Sequence, residues 1–559
     1  MIDGISQRLL DQTHPLRIHL LGVAGSGMSG IAALLLEMGH DVSGSDRVTS
    51  GEVERLQGLG LKFSSPHSGA AVSGVDAVVY SSAIKPDNVA LVEARRIEVP
   101  CLRRAECLAA ILHTRKGVLV AGTHGKTTTS AMCAHVLNNA GAAVSHYVGA
   151  EIPVLGANAH WDGGSEYLVA EGDESDGTLD LYRPAYAVVL NIEEEHLDYY
   201  QGLQQIVGVF RTLLEQTSGK AIYCREDSTA YELCSQYEGG LSYGWSDADY
   251  TAVDVVEGRG VIAFTVFRRG EEMGRVELGI PGRHNVLNAL AAIALADDLQ
   301  LDFSCVTRAL SSFAGAKRRF ESVYLSPRFH VIDDYGHHPT EITATLQTAR
   351  SLEPNRIVAL FQPHRYSRTE RLAAEFGKAL QGADLVFVTG IYAASENPIE
   401  GVSGMTVLEA VEQHGSTKCV YHEDLSTVHH IVGNALKAGD LLLTLGAGNV
   451  HEAGKRISAD LQLVDLLKGE FAESDIEIKL YESMRRHTTM LVGGPAQFWI
   501  EPRTFSAFAC AVNFFKERGV PVRVVGRGSN LLVRDGGIRG AAIHPSKGEF
   551  GELVVRGNL

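Results

Sequence analysis

A chain of 559 residues, 45% hydrophobic and 21% charged, is long enough for about three to five domains and lies in the globular range, which excludes fibrous, disordered and small disulfide-framework proteins. Fifty Lys and Arg against 67 Asp and Glu leave a net charge of -17, and no local basic run offsets it, so nucleic acid and anionic lipid are excluded as partners. Eight scattered cysteines form no C-x-x-C pair, residues 1–15 lack a basic-then-apolar leader, and no apolar run reaches the ~18 residues of a membrane span; the expectation is a cytoplasmic protein with reduced thiols.

The chain opens as alternating short strands and amphipathic helices: strand 17–21, helix 27–38, strand 41–44 and a later strand 76–80, the pattern of a parallel sheet with crossover helices. The turn Gly22-x-x-Gly25-x-Gly27-x-x-Gly30 follows the first strand, and Asp46 ends the next. Alone this reads as a dinucleotide fingerprint, but the same geometry holds any pyrophosphate at a helix N-terminus, and close packing without a ligand also calls for such glycines. A second start of this kind follows: strand 118–121, the turn Gly122-Thr123-His124-Gly125-Lys126-Thr127-Thr128-Thr129, and helix 126–139. There backbone N–H groups and a helix N-terminus face an anion; Lys126 is placed to reach the β and γ phosphates and Thr127 to ligate Mg²⁺. Strands are expected at 167–170, 185–190, 251–256, 261–267 and 275–280.

Beyond Arg318-Arg319-Phe320 a third alternating block is expected, with strands 356–361, 385–388 and 440–445 and helices near 370–380 and 405–414. The polar run 468–485 suits a linker. The expected division is therefore 1–115, 116–322, 323–467, the linker, and a tail at 486–559.

Two acidic stretches, Glu171-Gly172-Asp173-Glu174-Ser175-Asp176 and Glu193-Glu194-Glu195-His196-Leu197-Asp198, each follow a strand of the second domain. Ligands of open α/β sheets bind outside the carboxyl ends of strands, so both belong beside the phosphate loop, where carboxylates and a histidine can hold Mg²⁺ against ATP phosphates. Three later clusters gather reactive side chains: Arg283-His284-Asn285-x-x-Asn288, the run 333–339 with Tyr335, His337 and His338, and the run 364–369 with His364, Arg365 and Arg368. Two arginines after an apolar strand suit bidentate contact with carboxylate or phosphate. His337 and His338 lack the further ligands of a zinc site and are assigned to hydrogen bonding or a turn.

The motifs GVAGSGMSGIA, SGSD, GTHGKTTT, EGDESD, NIEEEHLD, GRHNVLNA, DDYGHHP, FQPHRYSRT, YAASENPI and TLGAGNV, in this order over about residues 15–465, resemble the UDP-N-acetylmuramate:L-alanine ligases, the alanine-adding branch of the Mur ligase family. The resemblance implies an α/β fold of three domains: Rossmann-like and UDP-binding, P-loop ATPase-like, and Rossmann-like again. It implies ATP- and Mg²⁺-dependent joining of L-alanine to the lactyl carboxylate of UDP-N-acetylmuramate through an acyl phosphate, in peptidoglycan precursor synthesis. The first turn then holds a UDP-sugar, with Gly22, Gly25, Gly27, Met28, Ser29, Asp46 and Ser82. ATP falls to Gly122, Thr123, His124, Gly125, Lys126, Thr127, Thr128, Asn285 and Asn288, with metal at Thr127, Glu171 and His196. Tyr335, His364, Arg365 and Arg368 fall where the L-alanine and lactyl carboxylates bind, and Lys126, Glu171, His196, Arg365 and Arg368 are the implied catalytic set. The carbamylated lysine of other Mur ligases has no counterpart in NIEEEHLDYYQG, as the alanine-adding branch implies.

In the tail, RHTT, VGGPA and the turn Gly526-Arg527-Gly528-Ser529-Asn530 resemble the start of the UDP-N-acetylenolpyruvoylglucosamine reductases, in which such a turn cradles the FAD pyrophosphate. The resemblance implies a partial FAD-binding α+β domain fused to the ligase, without reductase activity and with weak FAD binding at best; a chain continuing past residue 559 would be bifunctional. A flavin or nicotinamide oxidoreductase is the rival reading, and it leaves Lys126-Thr127 and the acidic-histidine cluster without a role. Amino-acid selectivity and homo-oligomerisation are left open.

Overall fold

The computed structural model describes residues 2–10, 13–175, 177–196, 199–258, 260–471 and 475–552, so Asp176, Leu197 and Asp198 of the two acidic motifs lie outside the described residues. The chain divides into two compact units, Met1–Lys317 and Arg318–Leu559.

The first unit holds both glycine turns. Its first sheet has five parallel strands in the order 3-2-1-4-5, with Arg17–Leu21 between Asp41–Ser45 and Ala77–Tyr80. The strand order reverses beside Arg17–Leu21, so the first glycine turn lies at a topological switch point. A ten-stranded sheet follows, in which Lys116–Ala121 runs parallel to Tyr167–Glu171 and Tyr186–Val189. Val118, Leu119, Val120 and Ala121 are wholly buried, as a parallel sheet covered on both faces requires. Antiparallel strands close this sheet at both ends.

The second unit is built on six strands, with Phe329–Asp334, Asp440–Leu445, Arg356–Phe361 and Leu385–Val388 parallel at the centre. The tail adds Ile476–Ser483, Pro495–Pro502, Ile538–Ile543 and Val522–Val524, in that spatial order, and the helix Phe505–Glu517.

Three expectations are corrected. The run 468–485 is no linker: the helix His451–Gly469 extends into it and Ile476–Ser483 is a strand, because Ile476 and Leu480 turn into a core between charged neighbours. The second unit begins at Arg318, which ion-pairs with Asp333, and not at 323. The helix expected near 370–380 is two, Tyr366–Arg371 and Ala373–Ala379, broken at Leu372.

The tail is not a separate body. Phe329, Leu442, Ile457 and Leu461 share one apolar cluster with Ile476, Leu480, Phe498 and Phe515. Across this seam Tyr481 donates its hydroxyl to the buried Asp460, Gln497 donates to Asp460 Oδ1 at 2.8 Å, and Asn434 donates to the Leu480 carbonyl at 3.0 Å. All eight cysteines are unpaired; burial pushes the Cys107 and Cys133 thiols up to about 12, which keeps them protonated. Among the described residues no helix is long and apolar enough to cross a membrane.

The seam yields a stability prediction. Tyr481→Phe removes a donor from Asp460, whose carboxyl burial already pushes above its ordinary range, and should cost about 1–3 kcal/mol. The check is the urea midpoint of the second unit, and an unchanged midpoint contradicts the role assigned to the seam.

Candidate functional site

The second glycine turn is built by backbone need. Gly122 and Gly125 have φ of +148 and +85, and a Cβ on Gly122 would lie 2.9 Å from the Leu190 side chain. The helix Lys126–Asn139 begins directly behind Gly125, so its free N–H groups face the loop. Asn191 holds the loop from the neighbouring strand end: its Oδ1 accepts from His124 N–H at 2.7 Å and its Nδ2 donates to the His124 carbonyl at 3.1 Å. Glu193 N–H donates to Thr123 Oγ1 at 2.9 Å. Thr128 is buried behind the loop.

The Lys126 ammonium donates to the Gly122 carbonyl at 2.6 Å, the Thr123 carbonyl at 3.2 Å and Glu174 at 2.9 and 3.1 Å. Burial alone would lower its pKa, but Glu174, Asp173 and Glu171 outweigh it and hold the lysine charged well above its usual range. Thr127 Oγ1 donates to Glu171 at 3.0 Å, and Gly149 N–H donates to Glu171 Oε2 at 2.8 Å. His196, at φ +55, places Nε2 3.5 Å from Glu174 and 3.8 Å from Glu195. A hydroxyl and carboxylates converging at a phosphate-loop helix are the oxygen donors that a hard cation such as Mg²⁺ takes. Asn285 and Asn288 are buried beneath the loop, Asn288 Nδ2 donating to Asn285 Oδ1 at 3.1 Å, and a Cβ on Gly125 would lie 3.2 Å from Asn288 Oδ1.

At the first turn, Asp46 shapes the loop itself: its carboxylate accepts from Ala24 N–H at 3.0 Å and Arg47 N–H at 2.6 Å. Gly22 is at φ +84 against Ser81, and the neighbouring Ser82 is exposed. Met28 and Ser29 are buried, so they offer the turn backbone rather than side chain. Packing explains two of the glycines: a Cβ would lie 3.1 Å from Tyr147 Oη at Gly27, and 2.8 Å from its ring at Gly30.

In the second unit Tyr335, His364 and Arg368 lie in one row. Tyr335 packs edge-on against His337, centroids 5.5 Å apart; His337 is 5.3 Å from His364, and Arg368 Nη1 is 3.0 Å from His364 Nδ1. Arg365 begins the next helix at φ +69, its Nη1 4.0 Å from Glu396. His338 caps the helix Pro339–Ser351 and accepts from Thr340 N–H at 3.4 Å, a turn role. Sequence reasoning passed over Arg318 and Arg319, taken only as a boundary; their guanidinium groups lie 5.2 and 5.0 Å from the Tyr335 ring centroid. Their position at a domain joint was the available signal. Glu174, read from the sequence among the carboxylates that can hold Mg²⁺, pairs with Lys126, and Asn191 has no role in the sequence reading. The tail turn Gly526–Asn530 lines an open hollow of about 1140 Å³ together with Arg523, Arg534 and Arg539.

In the first unit a glycine-cradled lysine and a threonine paired with a carboxylate form a phosphate-loop arrangement on an α/β sheet, and the second unit carries its own row of arginine, histidine and tyrosine. Three family models match in chain order: the Mur ligase family catalytic domain at residues 17–116, the Mur ligase middle domain at 120–296 and the Mur ligase glutamate ligase domain at 318–448. The UDP-N-acetylmuramate--L-alanine ligase of Desulforamulus reducens is 43% identical over 454 residues, 80% of this chain and 98% of that protein. The enzyme of the same name from Pelotomaculum thermopropionicum is 41% identical over 456 residues, 81% of this chain and 97% of its own. The crystal structure of a UDP-N-acetylmuramate-alanine ligase from Thermotoga maritima, 31% identical, superposes with a TM-score of 0.70 over 80% of this chain and 99% of that one. The chain belongs to the Mur ligase family. The three matched stretches end at residue 448 and leave the tail outside them.

The ground beneath the first turn makes a pH prediction. His19 is wholly buried, bonded to Ser43 Oγ at 2.8 Å and Ser45 Oγ at 3.0 Å, and burial, aided by His67, lowers its pKa from 6.5 to about 4. Between pH 6.5 and 4 the unfolded chain takes up a proton that the native state refuses, so stability falls as pH drops through that window, by about 3 kcal/mol at most. Urea unfolding at several pH values should show this decline in the wild type and a flatter one in His19→Asn; equal slopes would refute it.

Proposed function

We propose that the chain is an ATP-dependent ligase that joins L-alanine to the lactyl carboxylate of UDP-N-acetylmuramate in peptidoglycan precursor synthesis in the cytoplasm. The observation that carries this reading is the convergence of Lys126, Thr127, Glu171, Glu174 and His196 at the helix N-terminus after Lys116–Ala121, in a chain that spans nearly the full length of relatives named for that activity. A carboxylate becomes reactive towards an amine once a phosphoryl group is transferred to it, which requires two anions to be brought together and their charge to be met. Lys126 meets charge on the β and γ phosphates, while the loop N–H groups orient them. Thr127, Glu171 and His196 would hold Mg²⁺, which would add to the neutralisation of the phosphates. Asn285 and Asn288, beneath the loop, are the residues assigned to ATP's adenine. Gly22, Gly25 and Gly27 receive the UDP-sugar, with Ser82 exposed beside them. Tyr335, His364, Arg365 and Arg368 receive the L-alanine and lactyl carboxylates. The lactyl oxygen attacks the γ phosphorus and ADP leaves; the alanine amine then attacks the acyl carbon, phosphate leaves, and the amine proton passes to solvent.

For the tail we propose a flavin-type module. Its support is the turn Gly526–Asn530 on an open hollow whose charged lining residues, Arg523, Arg527, Arg534 and Arg539, are all arginine. Such a hollow suits a phosphate-bearing ligand. The purified protein should lose absorbance at ~450 nm on desalting after incubation with FAD; retained flavin would contradict weak binding.

Two outcomes test the ligase reading. Phosphate release from ATP with UDP-N-acetylmuramate should be fastest with L-alanine among L-alanine, L-serine and glycine, and no release with any of them refutes it. Lys126→Ala should lower L-alanine-dependent ADP release by at least about 10²-fold while leaving UDP-sugar affinity unchanged; loss of both would argue against separate sites.

A further inference from the structure

One guanidinium touches the machinery of both proposed nucleotide sites. Arg104 opens the helix Arg104–Leu112 of the first domain, and its Nη2 donates to Asp173 Oδ2 at 2.9 Å, on the acidic loop between Glu171 and Glu174. Its Nη1 points to the other site: it lies 2.9 Å from where a Cβ of Gly27 would stand, in the helix turn offered to the UDP-sugar diphosphate, and makes a long 3.5 Å bond to the Tyr147 hydroxyl. Tyr147 completes the bridge. Its hydroxyl donates to the Gly27 carbonyl at 2.9 Å, and its strand pairs in register with the strand of Glu171 through Tyr147 and Ala170. Two residues on, Gly149 N–H holds Glu171.

We propose that Arg104 is a positioning residue that couples the two sites: Nη1 contacts the diphosphate of the UDP-sugar while Nη2 fixes Asp173, so that filling the first glycine turn orders the acidic loop around Lys126. The inference rests on the two sites proposed above. A planar guanidinium meets two acceptors at once, and ordering it for the first ligand leaves less to order for the second, which makes the coupling positive. A lysine at this position keeps the charge and cannot span both acceptors. Linkage requires each ligand to tighten the other by the same factor.

The test is calorimetric titration of the full chain with a non-hydrolysable ATP analogue and Mg²⁺, without and with saturating UDP. In the wild type UDP should tighten analogue binding about fivefold or more, and the analogue should tighten UDP equally. Arg104→Lys should bring that factor to one. Tyr147→Phe, which keeps the ring against Gly30, should lower it, and serves if Arg104→Lys does not fold. A wild-type factor of one, or the wild-type factor retained in the variants, overturns the inference and leaves the ligase reading standing. Failure of the wild type to bind either nucleotide overturns both.

Discussion

The buried pair of Lys126 and Glu174 is the interaction around which the nucleotide half of the molecule is arranged. An ammonium that is only 15% exposed must have its charge met and its three protons accepted. Glu174, 2% exposed, meets the charge, and the carbonyls of Gly122 and Thr123 accept the remaining protons. The fold of the loop is thus tied to Lys126 through groups of the chain itself. The same carboxylate fixes His196, and Tyr200 donates its hydroxyl to the Glu174 carbonyl, so the segment behind the second acidic motif is tied to the lysine. A triphosphate that draws Lys126 toward itself must replace Glu174 as counter-charge, which several phosphate oxygens can do.

This arrangement resolves a tension in the composition. A chain of net charge -17 can handle anions where a small subset of its 50 Lys and Arg is placed at particular turns and strand ends. Lys126 lies behind a glycine loop, Arg104 between the two proposed sites, and Arg318, Arg319 and Arg368 around one row of rings. Surface acidity then acts on solubility, while fixed N–H groups and enclosed side chains act on the ligand.

Features written in local backbone needs were legible in the sequence. The helix 126–139 is observed as read, because Gly122 and Gly125 announce a turn at positive φ and Lys126 starts a buried helix. Strands 356–361, 385–388 and 440–445 are also as read, since continuous apolar runs between polar breaks leave little choice. Contacts between distant elements were not legible: Arg104 and Asp173 stand 69 residues apart and neither position is distinctive alone. The first turn shows how a motif mixes two demands, since Gly27 and Gly30 also make room for Tyr147. In 468–485 the charged residues between Ile476 and Leu480 hid a strand, because one face of that strand meets solvent while Tyr481 and Leu480 meet the preceding domain.

The central claim is that the lactyl carboxylate is activated by phosphoryl transfer before the amine attacks. Carrying it out with UDP-N-acetylmuramate labelled with ¹⁸O in that carboxylate, together with ATP and L-alanine, follows the oxygen through both steps. The account predicts that each phosphate released carries one ¹⁸O, visible as an isotope shift in its ³¹P resonance; unlabelled phosphate, with oxygen from water alone, would contradict it.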